Sequence, residues 1–186
     1  MSTMTTNPPP TVHARLATGL ALLSAGLLAG AFLYGWANVA PTFAAVPLDV
    51  HLTYRVELMQ RNGTIMPLLM GTTIVTLVWS AVVTRGAARA LLTAATGLAA
   101  TALVTTVFGN VPINGEIREW AAGRLPDDYE ERLSTWGVFH DIRFAAAVGA
   151  FVLLILAIRM ARRPRSARAP ETADDMRHAA TRRAHG

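Results

Sequence analysis

The chain has 186 residues, of which 52% are hydrophobic and only 16% charged, with a formal net charge of +5. A soluble globular domain carries nearer a quarter charged residues, and here the charges are bunched so that long stretches have none, the mark of a membrane chain. No cysteine is present and every basic side chain is Arg. Disulfides, thiolate catalysis, Cys-ligated zinc, iron–sulfur clusters, Schiff-base chemistry and a P-loop lysine are thereby excluded.

Residues 1–14 form a polar arm with Pro8, Pro9 and Pro10 in a row, expected to be disordered. Residues 16–36 carry no charge and are long enough as a helix to cross ~30 Å of hydrocarbon. A signal peptide is the weaker reading, because the apolar run exceeds an h-region. A mixed loop follows, and residues 49–60 within it could form a short interfacial helix. The second span is expected at 64–84, with Pro67 in its first turn, where proline is tolerated. Residues 85–89 make a tight turn, and the Ala- and Thr-rich third span covers 90–109. A long polar stretch leads to the fourth span at 138–160, and a basic, disordered tail fills 161–186. The expected fold is an all-α, integral membrane, antiparallel four-helix bundle, with outer loops and short helices packed as a lid.

Orientation follows from where the arginines fall. Arg15, Arg85, Arg89 and the tail beginning at Arg159 would be cytoplasmic, so both termini lie inside the cell membrane. The two long loops hold most of the acids and face outward. The cluster Arg159, Arg162, Arg163, Arg165 and Arg168 adjoins a span, where contact with anionic lipid headgroups is expected. It accounts for the net charge better than nucleic-acid binding does. Gly26 and Gly30 form a GxxxG in the first span, suited to close helix packing.

Polar residues gather at the outer ends of the spans, where they are most informative. Tyr34 and Asn38 share a helix face by their spacing of four. Trp136, His140 and Arg143 share another, at spacings of four and three. With Asn110 and Asn114 they would line a polar-mouthed cavity above an apolar floor. Pro112 either kinks the third helix or starts a new one with Asn110 as its cap, unless the segment is an ordinary helix exit with Trp120 at the interface. His140 can serve as a neutral base near pH 7. A metal site from His51 and His140 finds no support in their spacing. Asp127, Asp128, Glu130 and Glu131 read as a solvated helix start after Pro126.

The stretch N-V-P-I-N-G-E-I at 110–117, Trp120, and R-L-S-T-W-G-V-F-H-D-I-R at 132–143 resemble the DUF1772 family of small four-helix membrane proteins, which includes the anthrone oxygenases. The resemblance covers roughly 16–160 and is looser toward the N-terminus. It implies oxidation of an apolar, flat anthrone by dioxygen as co-substrate, with no flavin or haem. It also implies catalytic roles for His140, Arg143, Asn110 and Asn114. Trp120, Trp136, Tyr34 and Asn38 would contact the substrate, although an aromatic belt is the default reading of the tryptophans. Most family members have no known activity. A non-catalytic membrane accessory protein and a metal-dependent membrane oxidoreductase therefore remain open beside the oxygenase.

Overall fold

The computed structural model describes residues 12–162, which are helical almost throughout, with no strand among them. Helix α1 (Val12–Tyr34) runs through a π-helical turn (Gly35–Val39) into α2 (Ala40–Ala45). Helix α3 (Leu48–Val83) follows, then α4 (Ala87–Thr105), a second π-helical turn (Thr106–Asn110), α5 (Val111–Ala121) and α6 (Tyr129–Arg162). These make four continuous helical rods of 33 to 36 residues, each apolar enough to cross a membrane. The bundle is a square in which α1 packs on α3, α3 on α4, α4 on α6 and α6 on α1. Short connections make sequential neighbours antiparallel.

The outside of this bundle is as apolar as an ordinary interior. Leu16, Leu23, Leu27, Ile65, Leu68, Val75, Val82, Val104 and Phe108 all point outward, an arrangement that only lipid satisfies. The inside of one half is built from small residues: Ala21, Ala25, Ala81, Ala88, Ala95, Ala99, Ala150 and Ala157, sealed by Leu77, Leu92 and Leu154. Small side chains let the backbones approach, and packing replaces the hydrophobic drive that lipid removes. Gly26 takes part, since a Cβ there would stand 3.3 Å from the Phe151 ring, whereas Gly30 has nothing near it. Across α1 and α3, the Ser24 and Thr76 hydroxyls pair at 3.0 Å.

The expected spans are present, but their outer ends are longer than the charge-free runs. The expected interfacial helix at 49–60 is the first part of α3, so Pro67 lies inside a helix and not in its first turn. The two long loops expected to face outward shrink to residues 46–47 and 122–128, and helix extensions stand where the lid was expected. At 1.5 Å per residue each rod is about 50 Å long, well beyond ~30 Å of hydrocarbon. The excess holds Asp49, Glu57, Glu116, Glu130 and Arg132. Polar helix of this kind owes its stability to tertiary contacts: Leu52 of α3 packs with Ile113, Ile117 and Trp120 of α5. Arg132 of α6 bonds Glu116 of α5 at 3.0 Å and Asp128 at 2.9 Å, pairs too exposed to add much. The expected disordered arm and tail fall mostly outside the described residues, as does most of the basic cluster; residues 12–14 belong to α1 and 161–162 to α6.

Candidate functional site

Both π-helical turns end one residue short of a proline. The Ala40 amide bonds the Gly35 carbonyl, five residues back, and Pro41 follows; the Val111 amide bonds the Thr106 carbonyl, and Pro112 follows. A proline removes one ladder hydrogen bond and crowds the preceding turn, and a π turn is a way to widen the helix there without breaking it. Asn110 stands at the N-terminal cap position of α5 but makes no side-chain cap bond. Its amide is aimed across the bundle instead.

That direction leads to the fourth rod. Asn110 Nδ2 donates to the Trp136 carbonyl at 3.0 Å, and Trp136 Nε1 donates to Asn114 Oδ1 at 2.8 Å. Gly109 makes the approach feasible, because a Cβ there would meet the Phe139 ring at 2.6 Å. One turn along α6, Arg143 Nε donates to His140 Nδ1 at 3.0 Å. An arginine only donates, so in the neutral His140 ring the proton sits on Nε2. His140 is 4% exposed. Its Nε2 lies near the Gly35 backbone at a geometry that makes no good hydrogen bond. The imidazole stacks on Trp136, with centroids 5.1 Å apart.

Two residues of the cluster come from α3: His51, which enters the sequence reading only as a metal partner of His140, and Arg55, which escapes it. Arg55 is 5% exposed, and its guanidinium carbon sits 3.9 Å from the Trp136 ring centroid. That of Arg143 lies 5.1 Å from the same centroid and 5.1 Å from that of Phe32. Arg55 Nη1 donates to His51 Nε2 at 3.0 Å, and His51 stacks on Phe43 of α2 at 4.7 Å. The signal for this pair is its i, i+4 spacing within the segment expected to be helical. Each histidine thus has one nitrogen occupied by an arginine.

Of the expected site residues, the fold brings together Asn110, Asn114, Trp136, His140 and Arg143. It seats Trp120 in an adjoining apolar cluster against which Trp136 packs, and Tyr34 and Asn38 at a groove. Trp120 is buried among Leu52, Ile113 and Ile117. Tyr34 and Asn38 line a groove of about 100 Å³ with Val39, Thr42, Phe43 and Tyr54. Phe43 forms the floor between that groove and His51. A larger hollow of about 310 Å³ lies on one face of α3, at Asp49, Val50, Thr53, Tyr54 and Glu57, and holds none of the cluster.

Among the described residues no three His, Asp or Glu side chains gather to hold a metal. The two imidazoles are a poor donor set for a dication, since each presents an occupied nitrogen with a guanidinium beside it.

The sequence profile described as anthrone oxygenase matches residues 56–153. No curated protein and no solved structure matches the chain.

Proposed function

The chain belongs to the anthrone oxygenase family, and we propose that it is a membrane-embedded, cofactor-free oxygenase that converts an apolar, anthrone-type aromatic into the quinone. The observation that supports this reading is the enclosed cluster of His140, Arg143 and Trp136 at the border between the apolar and polar parts of the bundle. In it an imidazole is paired with a guanidinium and shielded from solvent.

On this reading the substrate leaves the bilayer and settles with its oxygen toward Arg143. The guanidinium shifts from His140 Nδ1 to that oxygen, where it stabilises the enolate as a preorganised donor. The freed Nδ1 takes a proton from the ring methylene, general-base catalysis worth roughly 10²–10⁴-fold. The carbanion passes one electron to dioxygen, and the carbon radical and superoxide combine. Proton return from His140 gives a hydroperoxide. Loss of the second methylene hydrogen as a proton, with hydroxide from the O–O bond, leaves a carbonyl and water. One oxygen atom ends in the quinone and one in water, and dioxygen accepts all four electrons. Asn110 and Asn114 act through Trp136, which they hold from two sides of its residue.

The test is oxygen uptake by the purified chain in neutral detergent with 1,8-dihydroxyanthrone, with metals and flavin quantified in the same sample. One quinone should form per dioxygen consumed, well above the rate in empty micelles and with no stoichiometric metal or flavin. A rate equal to that of empty micelles sinks the proposal, and a rate that follows metal content sinks its cofactor-free part.

A further inference from the structure

The cluster holds two guanidiniums and no carboxylate. Arg55 is almost fully buried, yet its Nε and Nη2 have no hydrogen-bond partner. The salt bridges among the described residues join Arg124 to Glu119 and Arg132 to Glu116 and Asp128, all at the exposed end. None reaches Arg55 or Arg143. An arginine stays charged in a protein, and a buried charge without a partner is strongly unfavourable unless something compensates it. The Trp136 and Phe43 faces supply part of that compensation as cation–π contacts, but they leave the N–H groups unsatisfied. Both histidines turn an accepting nitrogen to an arginine, so their remaining ring nitrogens, when neutral, are donors as well. Donors are in excess, and positive charge is unopposed.

We infer that Arg55 and Arg143 together form an oxyanion site that takes its ligand as a phenolate or enolate on a flat aromatic body, with Arg55 deciding which aromatics are accepted. This rests on the oxygenase reading for the identity of the ligand but adds a requirement to it: the ligand must carry an ionisable oxygen. The surroundings suit a flat body. Phe43 and Trp136 lie against the Arg55 guanidinium, and Phe32 and Trp136 against that of Arg143. The way in is the groove beside Tyr34 and Asn38, whose floor is Phe43. Behind Phe43 lie the His51 ring and, 5.5 Å from the Phe43 centroid, the Arg55 guanidinium. Moving one aromatic side chain aside opens the site to a groove whose walls are largely apolar.

The probe is 1,8-dihydroxyanthraquinone, whose visible absorption shifts to the red on ionisation, titrated with the full chain in nanodiscs of phosphatidylcholine. Bound to the protein, its phenol should ionise at least one pH unit lower than in empty nanodiscs, about tenfold stabilisation of the phenolate. Arg55→Gln should abolish most of that shift with helix content by circular dichroism unchanged. Should Arg55→Gln fail to fold, the wild-type chain still decides the matter. The 1,8-dimethoxy analogue has the same flat body and no ionisable hydroxyl, and should bind at least about tenfold more weakly. Equal binding of the two compounds, or an unshifted ionisation, overturns the inference. So does saturable displacement of the probe by phosphatidylglycerol from the wild type but not from Arg55→Gln, which would make this a lipid phosphate site. Oxygen uptake with 1,8-dihydroxyanthrone, measured on the same nanodiscs, separates the two claims. Turnover without a phenolate shift removes the oxyanion site alone, and a shift without turnover removes the oxygenase alone.

Discussion

At one end of the bundle the four helices meet through alanines, with Leu77, Leu92 and Leu154 filling the gaps. At the other end the same four rods meet through Phe43, His51, Arg55, Asn110, Trp136, His140 and Arg143, and two of the rods pass through a π-helical turn to do so. The alanine end follows the pattern for helices in lipid, with small residues, close backbones and few polar atoms to place, of which Ser80 Oγ is buried without a partner. The arginine end breaks them, with buried charge, unpaired donors and a Gly109 backbone pressed against Phe139. Where a structure concentrates its departures from its own packing rule in one place, function is the reason to look for. The contrast also explains how such a cluster persists, because a rigid, close-packed half can carry an opposite half that is less well satisfied.

The coarsest way to break the comparison is to ask which end faces out. Reporter fusions after Arg89 and after Arg168 should both report cytoplasm, placing the alanine end inward and the arginine end outward. An external signal from either would reverse the site's access. Next in size is His140→Ala, which should reduce anthrone turnover at least about 100-fold while the thermal midpoint stays close to wild type. Arg143→Lys should fail as well, since an ammonium has no planar Nε–H to hold Nδ1 and then serve an enolate. If both variants lose folding in proportion to activity, the cluster is structural and the two ends differ only in composition.

Smaller effects sharpen the contrast. Gly109→Ala adds a Cβ against the Phe139 ring and should cost ~1–3 kcal/mol of stability, read as a drop in unfolding midpoint; at Gly30, where nothing lies within 4 Å, the same change should be near neutral. Trp136→Phe keeps a ring beside Arg55 but removes the bond to Asn114. It should lower stability by only ~0.5–1.5 kcal/mol, measured by the same melt, with a larger fractional loss in turnover if Trp136 sets the position of Arg143.

The spans, the membrane character and the shared face of Trp136, His140 and Arg143 were all legible in the sequence. Charge-free runs of bilayer length admit few alternatives, and residues three or four apart on one helix must be neighbours. The N-V-P-I-N and W-x-x-x-H-x-x-R motifs also pointed to the right family. What only the tertiary structure decided is what meets across helices. His51 and Arg55 fell in a mixed loop, in a stretch expected at most to form a short interfacial helix, because a polar helix of that length has no autonomous reason to form. It forms because Leu52 packs on Ile113, Ile117 and Trp120, contacts between segments some sixty residues apart in the chain. The same contacts seat Trp120 in an apolar cluster against which Trp136 packs, while Tyr34 and Asn38 line the groove. Helical periodicity determines which residues share a face, but the rotation and depth at which two faces meet depend on the packing of the whole bundle. That packing placed two arginines over one tryptophan with no acid beside them.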